Sequence, residues 1–427
     1  PVTFRNYEND QVIIDGSGTS TSDQGDVIRI SNQSFVRLMG LEIANNTSKA
    51  KDGFITGIGI WGKGEGIEIL DCKIHEIRYS GGTDSSDESE GAGARAIAVY
   101  GMDGSEPISG LVIDGNEIWD VSCGAGEAVT VSGNVDGFEF TNNYVHDTDS
   151  DGLVLVGDGK LKGKAVCTPA AQNRARNGFV GYNKMERNSR RGNPDYPGNW
   201  FNAGGIYANG AENVTIAYNT CRENDLGIKV GSEAREKVCQ GITVRDNLIY
   251  GNLSSGILAG GNDMNRGWAS NCKFLNNTLY NNDTEKSGSG EINLLKSRGI
   301  FFSSNIVYTG PQNLTVVKSL GPEYAYDILF NNNIYYGPGG SRSLRFTGPD
   351  TGSVGLNMWI HKTKQDSSSK VANPRFADAP KGDFNLLGNS PAIDFGDRAY
   401  VPAEGEKDFG GNPRVNGRAV DCGAYEH

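Results

Sequence analysis

The sequence feature that most constrains the fold is a repeat between Ala203 and Ser297. Three passes through this stretch share a short alternation of apolar residues, an asparagine, a second short strand pattern, a polar turn and a glycine before the next strand. The asparagines of these and the following passes recur at intervals of 28, 30, 28 and 28 residues, at Asn219, Asn247, Asn277, Asn305 and Asn333. A fixed period of this length is typical of a repeat architecture, in which stacked copies of one unit bury a continuous core.

Each period contains three short strand patterns and no helical periodicity, which predicts one coil of a single-stranded right-handed parallel β-helix of the pectate-lyase-like type. Upstream, Asn116, Asn143 and Asn183 occupy the same place, and wider intervals indicate loop insertions at 79–96 and 157–201. An asparagine at this turn can bond the backbone of the neighbouring coil. We therefore predict an all-β chain with an asparagine ladder, a β-helix over residues 1–370 and a capping segment over 371–427.

Composition narrows the function classes. Sixty glycines and 37% hydrophobic residues suit short strands and tight turns, because glycine and asparagine tolerate the backbone of turns. The formal charge of −12 argues against nucleic acid as a partner. No segment approaches 18 consecutive apolar residues, so we expect no membrane span. We therefore expect a monomer that has neither nucleic acid nor a membrane as its partner.

Cysteine usage and the first residues bear on the compartment. The seven cysteines are scattered without a C-x-x-C pair, which argues against a zinc or redox motif, and Cys72 and Cys272 are predicted to be buried free thiols. Because the chain begins at Pro1 within a strand-like phrase, we expect that a signal peptide has been removed. The predicted location is therefore secreted, periplasmic or extracellular.

Three acidic residues recur beside strand patterns of the repeat. Glu233 follows GIKVGS, Asp263 follows ILAGGN, and Glu291 opens EINLL. If these positions are equivalent in successive coils, their backbones are about 4.8 Å apart. A retaining glycosidase needs two carboxyl groups about 5 Å apart, and the proximity of like charges raises the pKa of one of them. The alternative is that these acids are simply solvated at turns.

At these residues the chain resembles a group of bacterial β-helix proteins that includes glycoside hydrolase family 120. The resemblance rests on the phrases GIKVGSE, ILAGGND and GEINLL and covers roughly residues 203–305. It implies that Asp263 is the nucleophile, Glu291 the acid/base and Glu233 a supporting carboxylate. No cofactor is required for this hydrolase reading.

The phrase GIKVGS also resembles the strand that carries the catalytic lysine of family 9 polysaccharide lyases. That resemblance implies Lys229 as the base that takes the proton beside a uronate carboxylate, and a calcium site nearby. A lysine can serve as a base where burial or neighbouring cations lower its pKa. The calcium candidates are Asp147, Asp149 and Asp151, followed by Gly152 as at the opening of a calcium loop.

The second insertion concentrates cations and aromatic rings, which acidic and neutral sugars require. In a β-helix, the outward-facing residues of one stack of strands line a continuous groove. Upstream, Glu127 repeats the Gly-Glu phrase of Glu291, and Arg95 lies on a similar strand, so both are expected to line this groove. The predicted substrate-binding residues are Arg187, Arg190, Arg191, Tyr196, Trp200, Tyr207 and Glu127. A plain surface loop is the alternative interpretation.

The last 55 residues, from Asn373 onward, resemble a tail found on many secreted bacterial β-helix proteins, with the phrases SPAID, DFGGNPR and VDCGAYE. This resemblance implies the fold and export rather than a reaction. We predict a secreted polysaccharide-degrading enzyme, in the first place a glycoside hydrolase with paired carboxylates. The alternatives are a calcium-dependent lyase and a non-catalytic glycan-binding or adhesin β-helix, since many proteins share this scaffold.

Overall fold

The structure is a computed structural model of the 427-residue chain. It describes residues 1–8, 10–19, 24–50, 53–81, 92–196, 198, 201–261 and 263–427. The chain divides into two compact units, Pro1–Val214 and Thr215–His427. Each unit is a stack of parallel β-coils, which confirms the predicted all-β parallel β-helix.

The described residues of unit 1 form twenty strands and two short 3-10 turns, Gly16–Gly18 and Ala170–Gln172. Its strands are β1 (Val2–Arg5), β2 (Ile13–Asp15), β3 (Gln24–Ser31), β4 (Val36–Met39), β5 (Glu42–Ser48), β6 (Phe54–Gly62), β7 (Gly64–Glu65), β8 (Glu68–Leu70), β9 (Lys73–Tyr79), β10 (Gly93–Gly101), β11 (Ile108–Asp114), β12 (Glu117–Ser122), β13 (Val129–Thr141), β14 (Tyr144–His146), β15 (Leu153–Val156), β16 (Lys160–Leu161), β17 (Lys164–Ala165), β18 (Arg174–Gly181), β19 (Lys184–Glu186) and β20 (Gly204–Asn209).

These strands form three parallel sheets in unit 1. Sheet 1a contains β1, β4, β7, β8, β11, the second half of β13 and β18. Sheet 1b contains β2, β5, β9, β12, β14 and β19. Sheet 1c contains β3, β6, β10, the first half of β13, β15 and β20. The hairpin of β16 and β17, within the second insertion, is antiparallel.

The boundary between the units falls within β21 (Glu212–Ala217). Where the structure describes unit 2, it continues with nineteen strands, one α-helix and two 3-10 turns, Gly340–Ser343 and Ala379–Lys381. Its elements are β22 (Thr220–Arg222), β23 (Leu226–Gly231), β24 (Val238–Gln240), β25 (Thr243–Arg245), β26 (Leu248–Tyr250), β27 (Ile257–Ala259), β28 (Trp268–Leu275), β29 (Thr278–Tyr280), β30 (Ile292–Leu294), β31 (Ser297–Ser303), β32 (Ile306–Tyr308), β33 (Leu314–Lys318), β34 (Ala325–Asn331), β35 (Ile334–Tyr336), β36 (Arg345–Gly348), β37 (Gly352–Val354), α1 (Leu356–Thr363), β38 (Lys370–Val371), β39 (Phe376–Asp378) and β40 (Asp383–Leu386).

Unit 2 also has three parallel sheets. Sheet 2a contains β24, β25, β28, β31 and β34. Sheet 2b contains β22, β26, β29, β32, β35 and β38. Sheet 2c contains β23, β27, β30, β33 and β36.

In-register stacking builds the core, because the same inward position of each coil carries an apolar side chain. In unit 1, Ile58, Ile97, Val129 and Leu153 are successive partners in sheet 1c, and all are buried. In unit 2, the rings of Phe274, Phe302 and Phe330 stack at centroid distances of 4.4 and 4.6 Å. Each coil thus buries its apolar side chains on the next, which is the main stabilisation of a solenoid.

The predicted asparagine ladder is confirmed in both units. In unit 1, the amides of Asn116 and Asn143 donate to the side-chain oxygens of Asn143 and Asn183, at 3.0 and 2.9 Å. In unit 2 the same bond, of 2.9 to 3.2 Å, links Asn219, Asn247, Asn277, Asn305 and Asn333 in order. The ladder satisfies buried backbone groups at a turn, so these asparagines have a structural role.

Two elements of the C-terminal half cover the coils of unit 2. The last coil is covered by α1, because the fully buried Trp359 ring lies 6.3 Å from Phe330 and 5.4 Å from Phe346. The segment 371–427, expected as the cap, covers the side of sheet 2b, where Phe384 packs on Tyr250 and Tyr280. An aromatic row on the outside of sheet 2b explains why the tail lies there.

The cysteine prediction is also confirmed. All seven cysteines are free and buried, including Cys72 and Cys272. Burial raises the pKa of the Cys272 thiol to about 11, so it behaves as a small apolar side chain.

Candidate active site

The three acids of the repeat do not lie at equivalent positions. Glu233 and Asp263 follow strands β23 and β27, whereas Glu291 directly precedes β30. Because Ile292 is the partner of Ile257, Glu291 lies at the opposite end of sheet 2c from Asp263. The expected pairing of Asp263 with Glu291 as nucleophile and acid/base is therefore wrong in its geometry.

Glu291 is a buried structural carboxyl group. Its oxygens accept hydrogen bonds from the backbone amide and side-chain amide of Asn282, at 3.0 and 2.7 Å, and from Gln312 at 3.3 Å. A second ladder, in which Asn224 donates to Asn252 and Asn252 to Asn282, ends on this carboxyl group. Burial raises the pKa of Glu291 to about 8, while the amide donors oppose the shift.

Asp263 is exposed and serves the turn that follows it. Its carboxylate accepts the backbone amides of Asn265 and Arg266, at 2.6 and 3.2 Å. Glu233 is half-buried, and its backbone oxygen accepts a hydrogen bond from Arg266 at 3.2 Å. These contacts describe a local turn, in which Asp263 is held by backbone donors rather than by a second carboxyl group.

Lys229 has no accessible surface, although the strand pattern predicts that it points outward into a groove. Its partner in β27 is Leu258, which is also buried and clusters with Leu226 and Leu295. This side of sheet 2c is therefore buried around Lys229, and the side chain is not presented to a substrate in this structure.

The calcium candidates do not converge. Asp147 pairs with Arg187 at 2.7 Å, which lowers the pKa of Asp147 to about 2, and Asp151 accepts the backbone amide of Gly204 at 2.7 Å. Asp149 accepts the amide of Cys123. Across the described ranges, no three His, Cys, Asp or Glu side chains are grouped to hold a metal ion. The three aspartates therefore do not fit a calcium site, because each is engaged by a different part of unit 1.

Arg95 and Thr130 in sheet 1c and Glu127 in the loop before β13 form the centre of a group of polar side chains. The Glu127 carboxylate accepts the hydroxyl of Thr130 at 2.7 Å and lies 3.6 Å from Nε of Arg95. The guanidinium of Arg95 is buried, and its carbon lies 4.6 Å from the centroid of the Phe54 ring. About a quarter of the Glu127 side chain stays exposed, at 23%, so the carboxylate is accessible while its partners hold it in place.

Arg95 retains hydrogen-bonding capacity. Its Nη1 atom is buried and has no hydrogen-bond partner among the residues that the structure describes. A side chain at position 126 would lie 3.1 Å from this nitrogen, so Gly126 leaves room beside the guanidinium. An unsatisfied buried donor is uncommon in native proteins and is often found where a ligand binds.

Asp149 is the second carboxyl group among these polar side chains. Its carboxylate accepts the backbone amide of Cys123, in the loop that also carries Glu127, and the side-chain amide of Asn193 at 3.3 Å. Burial raises the pKa of Asp149 to about 6, against the hydrogen bond from Cys123, and the neighbouring Asp195 acts in the same direction as burial. Two carboxyl groups in different surroundings are thus held on one side of unit 1.

The second insertion adds a cation and a ring. Arg190 donates to Asp151 at 3.3 Å, and its guanidinium carbon lies 4.2 Å from the centroid of the Tyr196 ring. The backbone amide of Tyr196 donates to Asn193, whose side chain bonds Gly124 in the loop that carries Glu127. We use the term polar cluster for Arg95, Glu127, Thr130, Asp149, Arg190 and Tyr196.

The other predicted substrate-binding residues lie elsewhere. Arg187 is at the end of sheet 1b with Asp147, and Arg191 is exposed beside Phe201. Tyr207 is buried in β20, and Trp200 lies outside the described residues. The structure therefore brings together Glu127, Arg190 and Tyr196 from this set.

Sequence reasoning missed part of the cluster. Asn193 holds the insertion against the core by donating to the backbone oxygens of Gly124 and Asp149, at 2.9 and 2.8 Å. It also accepts the backbone amide of Asp195 at 2.9 Å. No sequence signal identifies Asn193 or its partners, because the insertion does not follow the repeat period.

The chain belongs to the family described as the right handed beta helix region, whose model matches residues 56–284. It is 31% identical over 405 residues to the uncharacterized protein YwoF of Bacillus subtilis (strain 168), with 92% of this chain and 80% of that protein covered.

Solved structures of low identity include one that shares the fold and a second that is reported for its similarity alone. The Dettilon tailspike protein (gp208) is 14% identical, with a TM-score of 0.50 over 74% of this chain and 55% of the tailspike, so the chain spans about half of that protein. The GH136 lacto-N-biosidase from Eubacterium ramulus is 14% identical, with a TM-score of 0.49 over 79% and 57% of the two chains. In the described part of the chain, no helix has both the length and the apolar character needed to cross a membrane.

Proposed function

We propose that this protein is a secreted carbohydrate-active enzyme that hydrolyses glycosidic bonds, with Glu127 and Asp149 as its working carboxyl groups. The observation that supports the proposal is that Glu127 and Asp149 both lie at the loop 123–128, in contrasting surroundings. Glu127 accepts charge-assisted contacts and is partly exposed, whereas burial raises the pKa of Asp149 to about 6. Pairs of carboxyl groups whose environments differ in this way divide the acid and base roles of a hydrolase.

In the proposed reaction, protonated Asp149 donates its proton to the glycosidic oxygen as the bond from that oxygen to the anomeric carbon breaks. The Glu127 carboxylate either attacks the anomeric carbon or takes a proton from the attacking water. One water molecule is consumed, and one new reducing end forms. Arg95, with an unpartnered Nη1 among the described atoms, can bind a hydroxyl or carboxylate of the sugar, and Tyr196 supplies an aromatic surface.

The test is a screen of plant and microbial polysaccharides with two readouts. Hydrolysis releases reducing ends without near-ultraviolet absorbance, whereas a lyase creates a C=C bond that absorbs. On the best substrate, Glu127→Gln and Asp149→Asn are expected to lower kcat by about 10²–10⁴-fold, the range for acid–base groups. Glu139→Gln, an exposed glutamate of β13, is the matched control and should keep full activity.

Other outcomes point to other assignments. Full activity of both Glu127→Gln and Asp149→Asn would contradict the proposed site. Loss of activity in Asp263→Ala, with both unit 1 variants active, would instead place the active site at the acids of the repeat. Ultraviolet-absorbing products that disappear in Lys229→Ala would show a lyase. Binding of a glycan without any product would favour the non-catalytic alternative.

A further inference from the structure

A pocket of about 610 Å³ in unit 2 lies between the outside of sheet 2b and the C-terminal tail. Its lining comes from the ends of β22, β26 and β29 and from the 3-10 turn Ala379–Lys381 with the glycine after it. A pocket of this size is in the range that binds small molecules. None of its residues belongs to the polar cluster of unit 1.

The coils supply an aromatic floor. Arg222, Tyr250 and Tyr280 are successive partners in sheet 2b, so they form one outward row. The Phe384 ring of the tail packs at 5.0 Å from Tyr250 and 5.4 Å from Tyr280, with interplanar angles near 60°. The two tyrosine rings are thereby fixed in orientation, which lowers the entropy that a ligand must overcome when it packs on them.

The tail leaves space over this floor. Gly382 has a φ of +82°, a conformation that favours glycine, and a side chain there would lie 3.2 Å from the Tyr250 hydroxyl. Gly251, with a φ of +64°, lines the same pocket from the coil side. Glycines therefore line the pocket on both walls.

The charge of the lining favours an anion. Arg222 and Lys381 are cationic, and Glu223 is the one acidic residue among the lining positions. Arg222 lies 3.6 Å from Glu223, and Lys381 lies 2.7 Å from Asp378, in ion pairs whose partners are substantially exposed. Exposed ion pairs of this kind contribute little to the stability of the fold. A ligand carboxylate can therefore compete for both cations.

We propose that this pocket binds an oligosaccharide that carries carboxylate groups, such as a uronic-acid oligomer. The tyrosine rings pack against the sugar rings, Arg222 and Lys381 take the carboxylates, and Glu223 and Asn281 bond the hydroxyl groups. The site goes beyond the proposed hydrolysis, because it is a second saccharide-binding site in a different unit and binds without cleaving.

The test is isothermal titration of the full chain carrying Glu127→Gln, with a galacturonic-acid pentamer and a neutral xylose pentamer as ligands. We expect the acidic pentamer to bind. We expect Lys381→Glu to weaken this binding about five-fold, because that is the upper value for one exposed charge pair. Arg222→Gln is expected to weaken it similarly. Lys286→Glu, an exposed lysine outside the pocket, is the matched control and should leave the affinity unchanged.

Three results would overturn the proposal: no binding of the acidic pentamer at millimolar concentration, equal binding of the neutral pentamer, or an affinity that Lys381→Glu and Arg222→Gln leave intact. An acidic peptide that binds as tightly as the pentamer would also overturn the assignment to a saccharide. Because the readout is binding and the unit 1 carboxylate is already removed, failure here is distinct from failure of the proposed hydrolysis, which is judged by product formation.

Discussion

Glu291 illustrates how position along a coil decides what a carboxyl group does. The second ladder needs an acceptor after Asn282, and the next coil offers no asparagine at that place. A carboxyl group has two oxygens, so Glu291 accepts both the backbone and the side-chain donors of Asn282. The residue that the repeat suggested as a catalytic acid therefore ends a structural ladder.

The variant Glu291→Gln tests this role. Above about pH 8, where the Glu291 carboxyl group is ionised, the substitution replaces one accepting oxygen by an NH₂ group that faces donors, so we expect the free energy of unfolding to fall by about 1–3 kcal/mol. Urea unfolding measures the change, with the exposed Glu323→Gln as the matched control. A variant as stable as the wild type but without activity would instead support a catalytic role for Glu291.

Asp149 predicts a pH dependence of activity. Because burial raises the pKa of Asp149 to about 6, the proton donor is lost as the pH rises through 6, and kcat/KM should fall on the alkaline side of that value. In Asp149→Asn this limb should be absent from the residual activity. A wild-type profile that stays flat from pH 5 to pH 8 would contradict the assignment.

The same carboxyl group predicts a pH dependence of stability. The folded-state pKa of Asp149 is raised above the ordinary value of 3.8, so the folded protein binds the proton more tightly than the unfolded chain. Its stabilising contribution is present below about pH 4 and is lost as the pH rises through 6. Urea unfolding at several pH values should show this loss in the wild type relative to Asp149→Asn.

At the scale of elements, the ladders show what the sequence could predict. The main ladder is visible because Asn219, Asn247 and Asn277 follow strand patterns at a nearly constant period. The second ladder has the same spacing, but Asn224 and Asn252 lie in polar turns, where asparagine is common for other reasons. The fold was therefore predictable from the repeat, whereas the role of Glu291 required the register of β30.

The candidate site was less predictable, for a physical reason. Glu127 and Asp149 lie between strands of the repeating coils. The residues that complete their surroundings come from an insertion that does not follow the repeat period. Arg190 and Tyr196 could be proposed from their residue types alone. Their position beside the loop 123–128 depends on how Asn193 ties the insertion to the backbone at Gly124, which no local pattern encodes.

The helix α1 provides a test at the same scale. Trp359 is fully buried, packs near Phe330 and Phe346, and donates its indole N–H to Asp366 at 3.1 Å. We expect Trp359→Ala to lower the free energy of unfolding by about 3–5 kcal/mol, the range for large aromatic side chains in cores. Met358→Ala, at an exposed position of the same helix, is the control for both thermal and urea unfolding. Equal stability of the two variants would show that α1 does not cover the last coil.

At the scale of the whole molecule, the stability comes from stacked coils rather than covalent links. All seven cysteines are free and buried, in unit 1 and in unit 2 alike. Burial raises the pKa of several of these thiols, including Cys221 and Cys422, so the reactive thiolate is scarce at neutral pH. Unit 2 is further covered by its tail, whose Arg414 is buried and lies 3.2 Å from Asp246.

Thiol accessibility therefore reports on the integrity of the folded chain. We expect no rapid reaction of the native protein with an aromatic disulfide reagent, seven reactive thiols in urea, and the same Tm with and without a reductant, because folding uses no disulfide. Ser353→Cys, at an exposed position of β37, is the control and should add one rapidly reacting thiol. Rapid labelling of the unmodified native chain would show that a cysteine is accessible, and a Tm lowered by reductant would show that a disulfide contributes to stability. Either result would contradict a fold held together by coil stacking around buried thiols.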